Sequence, residues 1–213
     1  RGPMQTAACD RFEDIEDGYG AKIEAVPAHP GLAASSLPWR SRDQHAAVMK
    51  GIRNAAALIV LTRDRSEGSL SDDGHDDVRY RVDPYDARHM LMALGGLLRL
   101  AFAAGAKSVL TLHTEPIELA RKRASDANLN ALARDVLKRG AAPNRLAVYS
   151  AHQMGTCRMH DDPALGVVDA TGAVHGVERL LVADASVFPL SSGVNPMLTI
   201  MALAHRIASS HLK

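Results

Sequence analysis

The feature that most constrains this chain is a long apolar segment that follows Asp83 and Pro84. Aspartate is a good N-cap and proline suits the first helical position, so the pair predicts the start of a helix. Apolar side chains then recur at the spacing of one helical face, and Gly105 predicts the end. The apolar stretch 90–106 is shorter than the roughly 20 residues that span a bilayer, and Arg99 interrupts it. We therefore expect a helix buried in a globular core.

Short apolar runs around this helix predict strands. Residues 22–26, 55–63 and 107–112 have the length and composition of short strands. Residues 78–82 alternate valine and tyrosine with arginine, which is typical of a half-exposed strand. We expect this strand to pair with 55–63 in an antiparallel hairpin whose acidic tip includes residues 72–77.

The second half of the chain predicts two more helices and two more strands. Residues 125–139 form a helix that ends at Gly140, and residues 145–151 and 180–183 are strand candidates. A last helix starts at Asn195 and Pro196 and runs to about Leu212. Its expected buried stripe consists of Met197, Ile200, Met201, Ala204, Ile207 and Ala208.

The first 50 residues are expected to be rich in loops, because Pro27, Pro30 and Pro38 exclude long helices. The chain has 213 residues, 46% of them hydrophobic and 23% charged, which is a globular composition that excludes disorder as the main state. The expected fold class is α+β, with a mostly antiparallel sheet flanked by helices.

The charge and the cysteine content of the chain limit its possible binding partners and its cellular compartment. Lysine and arginine number 25 against 24 acidic residues, so the chain lacks the basic footprint of a nucleic-acid binder. Two cysteines, Cys9 and Cys157, cannot form a dense disulfide framework, which favours a reducing compartment such as the cytoplasm. Nothing firm in the sequence indicates a membrane, although association with one stays open.

A histidine followed by a small-residue segment ends the predicted strand 145–151. The sequence reads SAHQMGTCRM from Ser150 to Met159, which places His152 at the strand end. Histidine exchanges protons near neutral pH, so a histidine at such a position can act as a general base. Gly155 permits a close approach by a ligand. By itself, the pattern also fits a histidine that is hydrogen-bonded within a loop.

A second small-residue segment, SSGVNPMLTI over residues 191–200, leads into the last predicted helix. A helix N-terminus offers free N–H groups and a partial positive charge, which favour an anion or an electron-rich ring edge. Asn195 is equally suited to be a simple N-cap, with Pro196 as the first helical residue. Both interpretations remain open from these residues alone.

Between these segments lie GVVD (166–169), VHGVE (174–178) and LVADASVFP (181–189). The ordered set resembles the C-terminal signature of the glucose–methanol–choline (GMC) family of FAD-dependent oxidoreductases. Within that family, SAHQMGTCRM and SGVNPMLTI are most similar to the long-chain fatty-alcohol oxidase branch. The resemblance covers about residues 150–212. Weaker markers before it are residues 2–5, 29–31 and 104–106.

The resemblance implies a role for each matching residue. His152 matches the family's active-site histidine, the base that takes the hydroxyl proton while a hydride passes from the alcohol carbon to flavin N5. Asn195 matches its partner, whose amide donates a hydrogen bond to the substrate oxygen as negative charge builds there. The residues implied to contact FAD are Asp184, Ala185, Asn195, Pro196 and Met197.

The resemblance also implies a division of the chain. Residues 1–149 would be part of a substrate-binding domain, and residues 150–213 would contribute to the active site and close the FAD-binding domain with its C-terminal strand and helix. The chain contains no G-x-G-x-x-G turn and does not begin with Met. We therefore expect the C-terminal portion of a longer enzyme, or a separate subunit, whose N-terminal FAD-binding part lies outside this chain.

The expected function is that of an FAD-dependent alcohol oxidoreductase acting on long-chain or other apolar alcohols, with the electron acceptor left open. A non-catalytic ligand-binding or interaction module is the alternative, in which the apolar helix after Pro84 could contact a lipid-like ligand. His152, Cys157 and His160 also supply metal-ligand types, but they lack the second ligand pair of a zinc site. The acidic stretch 72–77 lacks the pattern of a calcium loop, so no metal is expected.

Overall fold

The computed structural model describes residues 7–27, 29–71 and 78–212, and they fall into two compact units. The first unit comprises the described parts of Arg1–Asp64 together with Val82–Val148, and the second those of Arg65–Arg81 together with Tyr149–Lys213. The strands are β1 (Ala8–Cys9), β2 (Ala21–Val26), β3 (Ala57–Thr62), β4 (Ser69–Leu70), β5 (Val78–Arg79), β6 (Ser108–Leu110) and β7 (Glu118–Ala120). The helices are α1 (Pro30–Ser36), α2 (Arg42–Lys50), α3 (Pro84–Ala103), α4 (Asp126–Arg139) and α5 (Met197–His211).

The first unit contains an antiparallel sheet in the order β1-β2-β3. The predicted strands 22–26 and 55–63 are confirmed as β2 and β3, and they pair with each other along six residues, from Ala21 opposite Thr62 to Val26 opposite Ala57. The mixed helix and antiparallel sheet composition agrees with the expected fold class.

The long apolar helix is confirmed as α3. Its N-cap is Asp83, whose side chain accepts a hydrogen bond from the Asp86 backbone N–H at 2.8 Å. Half of its 20 residues are buried. Gly95 lies where α3 passes α4, because a Cβ there would stand 3.2 Å from that of Ala133. The buried cluster around α3 consists of Ile23, Leu91, Leu97, Leu98, Ala101, Phe102, Val109, Leu132 and Val136.

Helix α4 is confirmed with both of its predicted ends. The Ser125 hydroxyl accepts from the Asn128 N–H at 3.3 Å, and Gly140 follows the helix with a φ of 70°, in the left-handed region that favours glycine. Strand β6 lies within the predicted run 107–112. It pairs with β7, which the sequence pattern did not predict.

Helices α1 and α2 correct the expectation of loops in the first 50 residues. Pro30 is the first residue of α1 and so does not interrupt it. The Ser41 hydroxyl accepts from the Gln44 N–H at 3.2 Å and caps α2. The two helices have seven and nine residues, so the expectation that no long helix forms here is kept, although short ones do form.

The predicted hairpin between 55–63 and 78–82 is wrong. β5 pairs with β4 instead, through Ser69 opposite Arg79 and Leu70 opposite Val78. One edge of β3 pairs with β2, whose side chains include buried Ala21 and Ile23, whereas Val78 in β5 is 73% exposed. Burial therefore favours the β2–β3 pair. The predicted acidic tip, 72–77, lies outside the described residues.

The second unit has little regular structure, and two predicted strands are wrong. Residues 145–151 contribute one isolated bridge, from Leu146 of the first unit to His113, and 180–183 one bridge, from Leu181 to Ala173. An apolar run forms a strand only where a partner offers a continuous ladder of hydrogen bonds. Each of these two runs pairs with its partner at one position, so neither forms a strand.

Helix α5 ends close to the predicted residue but does not bury the predicted stripe. Ile207 is its one buried residue in the described chain, and Met197 and Met201 are 66% and 53% exposed. None of the helices in the described ranges is long and apolar enough to cross a membrane. The division between the two units falls after Val148, and residues 65–81 group with the C-terminal unit. The functional assignment of these parts stays a prediction.

Candidate functional site

His152 lies in an irregular, half-buried segment of the second unit. Within the described residues, no hydrogen bond or ion pair engages its side chain. The neighbouring Gln153 amide donates to the Ser150 carbonyl at 2.7 Å, which closes the turn around the histidine. Gly155 follows with a φ of 86°, which only glycine adopts without strain. His152 thus lies between two residues, Ser150 and Gln153, that are joined by a hydrogen bond.

A backbone ladder joins the His152 segment to the Asp184 segment. The N–H groups of residues 155, 157 and 159 donate to the carbonyls of Ala185, Ser186 and Val187 at 3.3, 2.9 and 2.9 Å. The carbonyls belong to a 3-10 helix, Ala185–Val187, whose last residue is 1% exposed. Two segments that are 30 residues apart along the chain therefore lie side by side.

Asp184 caps this 3-10 helix. Its Oδ1 accepts from the Ser186 N–H at 2.8 Å and from the Ser186 hydroxyl at 2.5 Å. The hydroxyl bond, and then the backbone bond, lower the pKa of the Asp184 carboxyl by stabilising its ionised form. The predicted cofactor residue Asp184 therefore has a structural role at one oxygen and presents a carboxylate at the surface.

Asn195, Pro196 and Met197 lie at the start of α5. The helix begins at Met197, one residue later than expected, and no side-chain cap bond is formed at Pro196. Pro196 is the N-cap, with a φ of −87° and a ψ of −2°, and the helical hydrogen bonds start at its carbonyl. Before it, the Ser192 hydroxyl donates to the Val194 carbonyl at 2.6 Å. Asn195 is thus on a turn ahead of the helix rather than in it.

The N-terminus of α5 has a partial positive charge. The first bond of its ladder runs from the Ile200 N–H to the Pro196 carbonyl at 2.8 Å. The N–H groups before Ile200 have no acceptor within the helix, by the geometry of every helix start. Met197 and Leu198 are 66% and 72% exposed, so this end of the helix is open to a ligand.

One contact of the signature was not predicted. Arg158 forms an ion pair with Glu67 at 2.8 Å, which joins the described residues around Glu67 to the rest of the second unit. Arg158 is part of the SAHQMGTCRM segment, but no local signal indicates a partner 91 residues earlier in the chain.

The metal-ligand residue types near the site do not cluster. In the parts of the chain that it describes, no three histidine, cysteine or acidic side chains form a group suited to a metal ion. Cys157 is a free, half-buried thiol. The His160 ring nitrogen Nδ1 accepts from the Asp162 N–H at 2.9 Å, so it is used within its own turn.

His152 precedes one side of the backbone ladder along the chain, and Asn195 follows the other side. The ladder brings together the segment after His152 and the segment before Asn195, and both residues are half-buried in the same unit. Direct contact of these two side chains with a common substrate stays a prediction.

Comparison with known proteins relates the chain to oxidoreductases. The family described as GMC oxidoreductase matches residues 64–204. A long-chain-alcohol oxidase of Arabidopsis thaliana is 33% identical over 207 residues, which are 97% of this chain and 28% of that protein. The 6'''-hydroxyparomomycin C oxidase of Streptomyces lividus is 35% identical over 145 residues, 65% of this chain and 27% of that oxidase. The chain thus spans little more than a quarter of these relatives.

Two solved structures show the same fold at low sequence identity. Pyridoxine 4-oxidase from Mesorbium loti superimposes with a TM-score of 0.51 and 16% identity, over 90% of this chain and 34% of the oxidase. A formate oxidase from Aspergillus oryzae gives a TM-score of 0.50 and 17% identity, over 95% of this chain and 33% of that enzyme.

Proposed function

Because this chain belongs to the GMC oxidoreductase family, we propose that it is the part of an FAD-dependent alcohol oxidoreductase that supplies the catalytic base. The observation that carries the proposal is the backbone ladder between residues 155–159 and Ala185–Val187. It holds together two of the segments that resemble the family signature, although neither segment forms a regular strand. These segments have no regular strand or long helix, and backbone hydrogen bonds between them hold their shape.

His152 is proposed to take the proton of the substrate hydroxyl. His152 is half-buried on a turn, and among the described residues no side chain forms a hydrogen bond or ion pair with its ring. Asn195 is proposed to donate an amide hydrogen bond to the same oxygen. An amide stabilises the negative charge that grows on the oxygen and does not compete for the proton, since it has no basic nitrogen.

The residues at the start of α5 and around Asp184 fit an FAD molecule. The N-terminus of α5, which has no side-chain cap bond, suits electron-rich or anionic groups, and Pro196 and Met197 are proposed to lie against the isoalloxazine edge. Asp184 and Ala185 are proposed to lie along the ribityl and pyrophosphate part. When bound, FAD supplies the two-electron acceptor that takes the hydride from the alcohol carbon.

The proposed substrates are long-chain or other apolar alcohols. This proposal is supported by the identity of 33% to a long-chain-alcohol oxidase and of 32% to a second one, over 97% and 89% of this chain. We propose residues 1–149 as part of the substrate-binding domain, whose buried core around α3 gives such a domain a rigid frame.

The exposed apolar face of α5 is consistent with an additional FAD-binding part that would cover it. Met197, Leu198 and Met201 are all more than half exposed, which is unusual for neighbouring large apolar side chains of a stable soluble helix. We propose that this face packs against the N-terminal FAD-binding part of the complete protein.

The test is anaerobic single-turnover flavin reduction by a long-chain alcohol in the full-length enzyme. We expect His152→Ala to slow reduction by about 10²–10⁴, the usual share of a general base. His160→Gln is the matched control, because it changes a histidine of the same segment whose ring serves its own turn. Reduction of His152→Ala at the rate of the unmodified enzyme would contradict the assigned base. A full-length protein that takes up no flavin would contradict the oxidoreductase function and favour a binding module.

A further inference from the structure

The first unit contains an apolar cavity of about 350 Å³ beside the single tryptophan of the chain. It is formed by α1, α2 and the link between them. Its lining residues are Ala34, Trp39, Arg42, His45 and Ala46. Cavities from about 300 Å³ upward are large enough for small organic ligands.

The walls of the cavity are held in place by His45. Its Nε2 donates to the Ala34 carbonyl at 3.0 Å, since a carbonyl only accepts, and this bond ties α2 to α1. The rings of Trp39 and His45 are 5.7 Å apart and tilted by 58°. Trp39 lines the cavity and is 59% exposed, so part of its ring surface is open to solvent beside the cavity.

Arg42 provides a positive charge at the same cavity. It lies three residues before His45 and four before Ala46, hence on one face of α2. Within the described ranges no carboxylate comes within ion-pair distance of Arg42, whereas the nearby Arg40 is paired with Glu115 at 2.5 Å. The cavity therefore combines apolar walls with a guanidinium whose charge is not already neutralised by a side chain.

We propose that this cavity binds a small amphiphilic carboxylate, with the apolar chain between Trp39 and the alanine walls and the carboxylate on the Arg42 guanidinium. Guanidinium matches carboxylate geometry through paired hydrogen bonds. A lipid surface is a weaker fit, because attachment to one takes several basic residues together and Asp43 adjoins Arg42 here. The proposal is independent of the oxidoreductase function, since no residue of the His152 segment takes part.

The test uses octanoate and the fluorescence of Trp39 in the 213-residue chain, with the indole N–H signal of the same residue in an NMR spectrum as a second readout. We expect a saturable change with octanoate and binding at least about tenfold weaker for octan-1-ol, which lacks the charge. Arg42→Ala should weaken octanoate binding about tenfold and leave octan-1-ol binding unchanged. Arg53→Ala, an exposed arginine outside the cavity, should change neither.

Three outcomes would overturn the proposal. Octanoate could give no saturable signal, octanoate and octan-1-ol could bind equally, or Arg42→Ala could bind octanoate as well as the unmodified chain does. A parallel titration uses phosphatidylcholine vesicles that contain phosphatidylserine. A shift of Trp39 emission with these vesicles and none with octanoate would identify the surface as a membrane contact instead. Far-UV circular dichroism checks that each variant keeps the fold.

Discussion

Helices α3 and α5 are both apolar and both start beside a proline, yet they are buried to very different degrees. Ten of the 20 residues of α3 are buried, whereas the described part of the chain buries only Ile207 among the 15 residues of α5. Helical periodicity marks an apolar face, but burial requires a second surface that covers it. For α3 the sheet and α4 provide that surface within the first unit.

The largest expected effect contrasts one apolar side chain from each helix. Phe102 in α3 is 5% exposed and Met201 in α5 is 53% exposed. Phe102→Ala should lower the free energy of unfolding by about 3–5 kcal/mol, because it leaves a cavity in a packed core. Met201→Ala should change it by less than about 0.5 kcal/mol. Urea unfolding of the 213-residue chain, followed by Trp39 fluorescence and circular dichroism, measures both.

Equal losses of unfolding free energy in the two variants would contradict the inferred difference in packing between α3 and α5. The same two variants, made in the complete protein, also test the proposed packing of α5. There, Met201→Ala should destabilise by more than it does in the 213-residue chain. An effect as small as in the shorter chain would contradict that packing.

A smaller effect is expected where α5 does have a packing partner. Gly172 has a φ of 81°, and a Cβ on it would stand 2.8 Å from Cγ2 of Ile207 and 2.9 Å from the Val182 carbonyl oxygen. Gly172→Ala should therefore cost about 2–3 kcal/mol, from left-handed backbone strain together with overpacking. Thermal unfolding followed by circular dichroism is the measurement.

Gly176→Ala is the matched control for this substitution. Gly176 has a similar φ of 73°, but a Cβ there would have no described atom within 4 Å. It should cost about 1 kcal/mol, the backbone strain alone. If the two alanine variants unfold alike, the contact of Gly172 with Ile207 does not contribute to the stability of the second unit.

The smallest expected effect is on the pH dependence of the stability of the first unit, through His113. His113 is 1% exposed, its Nδ1 is 2.9 Å from the Thr111 hydroxyl, and its Nε2 is buried with no hydrogen-bond partner among the described residues. Burial, and then the charge of Arg139, lower the pKa of His113 below its model-compound value of 6.5, while Asp135 acts in the opposite direction. The folded state therefore resists protonation of this ring.

The sign of the pH dependence follows from that shift. The unfolded chain takes up the proton near pH 6.5, before the folded chain does, so stability falls as the pH drops from 6.5 to the lower folded-state value. The slope reaches at most about 1.4 kcal/mol per pH unit. His113→Gln should remove this part of the slope, and His205→Gln, on the exposed side of α5, should keep it. Urea unfolding between pH 7.5 and about 5 measures the slope; a slope unchanged in His113→Gln would contradict the assignment.

Elements with local signals were predictable from the sequence. Asp83 and Pro84 start α3, while Ser125 and Gly140 bound α4, because caps and left-handed glycines act within one turn of the chain. The candidate site residues were named from motif order, without any knowledge of their contacts. Strand pairing was predicted wrongly, because β3 pairs with β2 and β5 with β4, and a local sequence pattern does not show which distant segment a strand will pair with.

By itself, the sequence determined where α3 and α4 begin and end, the α+β class and the family to which the chain belongs. Only the tertiary structure decided which apolar faces are covered, that residues 155–159 lie beside Ala185–Val187, and that Arg42 meets Trp39 at a cavity. Caps and periodicity act over a few residues, whereas burial and long-range hydrogen bonds depend on surfaces brought together from distant parts of the chain.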